Sequence, residues 1–265
     1  MTKKPENGAG QDFLRLEQVA DGPVLRLVID RPTRGNAFTL TMWAHLAERV
    51  QEARALGARV LLVESAHPRI FASGVDLDEL ERMLDDRNLR RRHYRAMIAA
   101  TAALAEAPFV TIAALAGAAA GAGLSIALAC DLRLAAASAR FVLPPARLGV
   151  IYPRADLRRL LRVVGEAAAR ELLLTATPRD ADWALAHGLV QAVHPDRAAM
   201  HSAAVTMARD IVALSARSLA ALKDRLGQLA GDEEGARSQA TEEEHFVEAF
   251  DDPEVRARIA AVRGG

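Results

Sequence analysis

Between Ala107 and Cys130 the chain carries no charged residue. A run of that length either crosses a bilayer or is buried inside a protein, since about 20 apolar residues span the hydrocarbon layer. It even sets Gly117 and Gly121 at the spacing of a membrane-helix dimer face. Its composition argues against a membrane span. Much of the run is Ala and Gly, and only Phe109, Val110, Ile112, Leu115, Leu124, Ile126 and Leu128 are strongly apolar. Pro108, Thr111 and Ser125 lower its membrane affinity, and no basic anchor flanks it. It divides instead into a strand (FVTIAAL), a turn of small residues (AGAAAGAG) and a buried helix (LSIALAC).

The flanking sequence extends this pattern. FLRLEQV and PVLRLVID alternate around Ala20-Asp21-Gly22 and read as a hairpin. Arg31-Pro32 stops the second strand, and Thr39 or Thr41 caps a helix through TMWAHLAERVQEAR that Gly57 ends. VLLVES is a buried strand, and FASGVDLDEL leads into two helices, the second rich in arginine from Arg87 to Arg95. DLRLAAAS and RFVL read as strands. Beyond Pro153 the segments LRRLLRVVG, AAARELLLT and DADWALAHG are helical, with VQAV the one interrupting strand. Alternation followed by helices predicts an α/β core over 11–195 and a helical region over 196–265, behind a disordered tail at 1–10. Neither an internal repeat nor a low-complexity linker is present.

Charge and cysteine content narrow the function classes. Thirty-four basic residues balance thirty-four acidic ones, so no global field recruits nucleic acid or an anionic membrane. The single cysteine, Cys130, cannot form an intrachain disulfide, which points to a reducing cytoplasm. The opening MTKKPENGAG has no apolar segment behind its charge and does not read as a signal peptide. No His, Cys and Asp cluster has metal-ligand spacing.

Two strand-to-helix turns are the candidate chemistry. In Phe71-Ala72-Ser73-Gly74-Val75-Asp76-Leu77, backbone N–H groups at a glycine turn and helix start can hold an oxyanion, with Asp76 capping the helix. In Gly117 to Gly123, small residues let another backbone or a ligand approach closely. The second turn lacks the acidic residue of a dinucleotide fingerprint and the Gly-Lys-Ser/Thr of a phosphate loop. Taken singly, each turn reads as ordinary packing.

Taken together with RPTRGNAF, the ordered segments FASGVDLDEL and AGAAAGAGLSIALACDLRLAA resemble the crotonase (enoyl-CoA hydratase/isomerase) superfamily. The resemblance continues through LLLTATPRDADWALAHGLVQAV to the helical tail. It implies an α/β fold of repeated ββα units in a spiral core, C-terminal helices that build trimers, often paired into hexamers, and acyl-CoA thioester substrates. It also implies an oxyanion hole of two backbone N–H groups, which fall on Val75 and Ala122. Two such donors in a water-poor site are worth about 3–4 kcal/mol each. Ala122 departs from the family's usual glycine. That costs roughly 1 kcal/mol if φ is positive there, and nothing if the backbone is helical.

The resemblance also locates what is missing. Hydratases of this family use two glutamates, and their positions here hold Ser125 and Pro145. A hydroxyl without an adjacent base is a poor proton carrier near neutrality, and proline has no proton to give. Tyr152 matches a tyrosine in the branch resembling methylmalonyl-CoA decarboxylase, which makes it a candidate proton donor; the other reading is a packed aromatic with a satisfied hydroxyl. Decarboxylation suits this residue set, because loss of carbon dioxide generates the enolate without a base. Arg34, Ala37, Ser73, Asp76 and Lys223 are the candidate coenzyme A contacts, and no cofactor beyond the coenzyme A moiety is implied. Asp156 is expected in a surface ion pair, His67 facing solvent and His194 in a turn, while the Arg87–Arg95 cluster either covers a pocket or meets another subunit. The leading expectation is an enzyme that stabilises a thioester enolate without glutamates. The alternatives are a divergent hydratase/isomerase using other proton carriers, and a non-catalytic acyl-CoA binder or assembly subunit.

Overall fold

The computed structural model describes residues 13–19, 22–230 and 236–264; the tail at 1–10 and two residues of the hairpin turn, Ala20 and Asp21, lie outside them. Strands β1 (Leu14–Gln18) and β2 (Val24–Ile29) pair antiparallel, Leu14 opposite Ile29. Helix α1 (Leu40–Ala55) follows, with Thr39 accepting from the Met42 N–H at 3.2 Å as its cap. All six residues of β3 (Val60–Ser65) are buried, as a parallel strand covered on both faces requires.

From β3 onward one unit recurs. A long strand is followed by a strand of three residues and then by helix. The units are β3, β4 (Ile70–Ala72), α2 (Leu77–Met83) and α3 (Arg87–Ala105); then β5 (Val110–Leu115), β6 (Ala118–Ala120) and α4 (Ala122–Ala129). A third comprises β7 (Leu132–Ala136), β8 (Arg140–Val142), α5 (Pro145–Leu148) and α6 (Arg154–Thr175), the last broken at Gly165 where φ is 74°. After β9 (Arg179–Asp180) and α7 (Ala181–Ala186), β10 (Ala192–His194) completes the strands; His194 thus ends a strand rather than occupying a turn. The long strands form a six-stranded sheet, β1-β2-β3-β5-β7-β10, and the short ones a four-stranded sheet, β4-β6-β8-β9.

The uncharged run is therefore strand, strand and helix. Its small-residue segment, expected to be a turn, contains β6, paired in parallel with β4 on one side and β8 on the other. Smallness is what permits this: a Cβ on Gly117 would stand 2.1 Å from the Arg69 carbonyl carbon and oxygen, and one on Gly123 2.3 Å from the Ala72 oxygen. Both contacts are with backbone, which cannot swing aside. Gly117→Ala is accordingly expected to destabilise by about 3 kcal/mol, through overpacking, read as a lowered Tm in thermal unfolding. A wild-type Tm would contradict that close approach. No described helix is long and apolar enough to cross a membrane.

The large sheet is covered on both faces. Leu61 and Val63 point into the main core with Trp43, Leu46 and Leu104, while Val60, Leu62, Ile112 and Leu134 pack against Met200, Ala204 and Ala208 of α8 (Arg197–Ala213). Each fully buried Val, Leu or Ile contributes about 1.5–3 kcal/mol. Helices α9 (Ala216–Ala230), α10 (Ala236–Ala249) and α11 (Pro253–Gly264) follow. The arginine cluster of α3 fastens α10 within the same chain. Arg95 and Arg91 pair with Glu243 at 2.7 and 3.0 Å, and Arg87 and Arg91 also with Glu244. Arg90, buried, donates to the Val247 carbonyl at 2.9 Å and pairs with Asp251.

Candidate active site

The loop RPTRGNAF sets the first wall. Gly35 and Asn36 both adopt left-handed φ of 56°, a conformation that glycine and asparagine tolerate best. The fully buried Asn36 amide then accepts from the Arg31 N–H at 2.7 Å and donates to the Ser65 hydroxyl at 2.7 Å and the Phe71 carbonyl at 3.0 Å. So anchored, the loop brings Phe38 beside Val75 in a parallel bridge: the Phe38 N–H donates to Gly74 O at 2.8 Å and the Asp76 N–H to Phe38 O at 2.9 Å. That pattern uses the groups flanking Val75 and turns the Val75 N–H the other way, where no described residue accepts from it.

The second wall is the start of α4. Gly121 caps it at φ 49° and ψ −117°, and Ala122 is its first residue. The N–H of a first helical residue has no partner within its helix. Because Ala122 is helical and the positive φ falls on Gly121, alanine stands at this position without strain. The turns meet closely, since a Cβ on Gly74 would lie 3.6 Å from Ala120 O and one on Gly121 3.7 Å from the Gly74 Cα.

Gly74, Val75, Gly121 and Ala122 all line one cavity of about 330 Å³. Its remaining walls are mostly apolar: Leu77, Leu80 and Met83 of α2, Met97 of α3, Pro144, Pro145 and Leu148 around α5, and Phe246, Phe250 and Val262 from the C-terminal helices. No carboxylate is among the described lining residues; the ionisable side chains there are His93, Tyr152 and Arg147.

The expected site residues separate into two groups. Val75, Ala122, Ser73, Pro145 and Tyr152 line the cavity, and the fully buried Ser125 stands directly behind it, its Oγ 2.7 Å from the Tyr152 hydroxyl. Arg34, Ala37, Asp76 and Lys223 lie outside the lining. Arg34 pairs with Asp78 on the surface, and the Ala37 carbonyl accepts from Arg31 at 2.8 Å. Asp76 caps α2 through the Asp78 N–H at 2.9 Å and pairs with Arg31 at 2.6 Å. Burial alone would raise its pKa, but the Arg31 bond and charge hold it below the usual carboxylate value. Lys223 docks α9, its ammonium donating to Phe109 O at 2.9 Å and Asp131 at 2.8 Å.

Asp156 departs from expectation. It pairs with Arg159 at 2.9 Å, as a pair was expected, but the site is buried rather than on the surface, and its Oδ2 lacks a partner. Burial pushes its pKa up against the opposing charge of Arg159. Burial likewise pushes the Tyr152 hydroxyl well up, reinforced by the charge of Asp156. His67 is half-buried, its Nδ1 accepting from the Arg69 N–H at 3.1 Å. Cys130 is buried, its thiol pushed up to about 12 by burial. Among the described residues, no group of His, Cys, Asp and Glu is placed to hold a metal ion.

Two ionisable residues of the lining, His93 and Arg147, are not among the expected site residues. His93, buried on α3, faces Glu79 with Nε2 3.2 Å from Oε2. Its spacing from Leu89 and Met97 is that of an apolar helix face, and that was the only available signal.

Repeated ββα units around one largely apolar cavity make up the crotonase fold. A model of the enoyl-CoA hydratase/isomerase family matches residues 20–262, and the chain belongs to that family. It is 33% identical over 204 residues to a probable mitochondrial enoyl-CoA hydratase 2 of Arabidopsis thaliana, a match covering 76% of this chain and 66% of that protein. Among solved structures, Pseudomonas aeruginosa OdaA is similar at 31% identity and a TM-score of 0.80, covering 95% of this chain and 99% of that one. An enoyl-CoA hydratase from Bacillus halodurans shares the fold at a TM-score of 0.86 and 23% identity, covering 94% and 100%.

Proposed function

We propose that the chain acts on an acyl-CoA thioester whose carbonyl oxygen sits between the Val75 and Ala122 N–H groups, and that it stabilises the enolate formed there. The observation carrying this reading is the pair of unpartnered amides opening onto one cavity whose described lining holds no carboxylate. Negative charge developing on a thioester oxygen needs fixed donors in a water-poor setting, and these amides supply them without any side-chain reorganisation.

Decarboxylation is the reaction this lining favours. A carboxylate on the α-carbon loses hydration among Leu77, Met83 and Phe250; the C–C bond electrons pass to the thioester as carbon dioxide leaves, and a proton from water or a nearby hydroxyl completes the α-carbon. The exposed Arg147 at the lining is placed for an anionic group of the ligand. A hydratase or isomerase reaction with another proton carrier is the second reading, favoured by His93 and its Glu79 partner. The test is a complex with a thioester. Its carbonyl oxygen is expected within about 2.7–3.1 Å of both nitrogens, and an oxygen elsewhere would overturn the reading.

The same proposal includes self-association. Leu222, Leu226 and Leu229 share a face of α9 and are 57%, 66% and 87% exposed. Such a stripe is broader than a lone surface helix needs, and relatedness to this family suggests trimers or hexamers. Light scattering at micromolar concentration is expected to give a multiple of the chain mass, with Leu226→Glu lowering it; a monomer would contradict the proposal.

A further inference from the structure

The Tyr152 hydroxyl is bonded to the very amide that the proposed chemistry uses. It donates to the Gly121 carbonyl at 2.6 Å, and the Gly121 carbonyl and the Ala122 N–H are the two ends of one peptide group. The same oxygen accepts from the Leu124 N–H at 3.0 Å and the Ser125 N–H at 3.1 Å. A phenol has one proton. With that proton directed at Gly121 O, the Ser125 hydroxyl, 2.7 Å away, is the donor to Tyr152. Ser125 thereby fixes the phenol, and the phenol fixes the peptide.

We propose that Tyr152 is a positioning residue for the oxyanion donor: through the Gly121 carbonyl it orients and polarises the Gly121–Ala122 peptide, with Ser125 holding it in place. Donation to a carbonyl draws electron density toward oxygen and strengthens the N–H at the other end of the amide, as chains of hydrogen bonds do in a low-dielectric interior. Orientation is the second contribution. Gly121 has an uncommon backbone conformation, and a third strong donor on its carbonyl sets the plane in which the Ala122 N–H points. The hydroxyl at the position of a family glutamate thus serves the oxyanion donor in place of proton transfer. This rests on the reading that the Ala122 N–H meets the thioester oxygen.

The experiment is vibrational spectroscopy of butyryl-CoA labelled with ¹³C at the thioester carbonyl, bound to the full-length protein. On the wild type the carbonyl stretch is expected to fall below its value in water. Tyr152→Phe keeps the ring and removes the O–H, so the shift should shrink while Kd changes less than about twofold. Turnover of whichever acyl-CoA the protein processes should fall about tenfold, the scale of one neutral hydrogen bond. Ser125→Ala retains the phenol without its anchor and should give an intermediate shift; if Tyr152→Phe fails to fold, this variant carries the test. An unchanged shift in the folded variants overturns the proposal, and if turnover collapses with the shift intact, Tyr152 acts on substrate directly as a proton donor. A wild-type complex with no shift instead defeats the underlying reading of the two amides.

Discussion

Ala122→Pro is expected to fold normally and to lose at least 10²–10³-fold in turnover, the usual consequence of deleting one oxyanion donor. Proline here removes the N–H and sets a ring carbon where it pointed, so donor and space for the oxygen are lost together. Ala122 is the first residue of α4, where proline's fixed φ matches the helix and its missing N–H breaks no helical bond. Ala122→Gly keeps the N–H and should keep most of the turnover. The measurement is kcat/KM on the best thioester in an acyl-CoA panel, with circular dichroism confirming the fold. Wild-type rates from a folded Ala122→Pro protein would remove the amide pair from the mechanism and leave the acyl-CoA-binder alternative standing.

Crotonyl-CoA is expected to be hydrated negligibly. Hydration needs one group to activate water and another to deliver a proton, each worth about 10²–10⁴ in rate. The positions at which the sequence resemblance expects them hold Ser125, whose hydroxyl is engaged with Tyr152, and Pro145, the first residue of α5. The assay is loss of the enoyl absorbance with and without protein. Rapid hydration would show that another pair carries the protons. His93→Gln would then be the first variant to make, because that imidazole lines the cavity with a carboxylate behind it.

Much of this architecture was legible from residue order. The buried strand VLLVES, the Thr39 cap and the division of the uncharged run follow from periodicity and capping chemistry. The turns bearing Val75 and Ala122 follow from the ordered motifs. What escaped was the pairing of three-residue strands. Ile70–Ala72 and Ala118–Ala120 are too short to show a period of two, and their stability comes from partners distant in sequence. Asp156 departs from expectation for a related reason: its arginine-rich neighbours suggest a surface, whereas Asp156 itself is 1% exposed. The cavity wall formed by Phe246, Phe250 and Val262 was likewise unreadable, since nothing local marks a C-terminal aromatic as facing a turn near residue 75.

That wall has a consequence for how the cavity is assembled from the chain. Val75 and Ala122 precede Phe246, Phe250 and Val262 by more than a hundred residues, so a chain lacking the last segments would leave this side of the cavity uncovered. Ion pairs from Arg87, Arg91 and Arg95 to Glu243 and Glu244 hold the helix that carries Phe246 against α3. The finished cavity therefore joins two distant stretches of sequence, and a change in the last helices reshapes the space in front of Val75 and Ala122 without touching either turn.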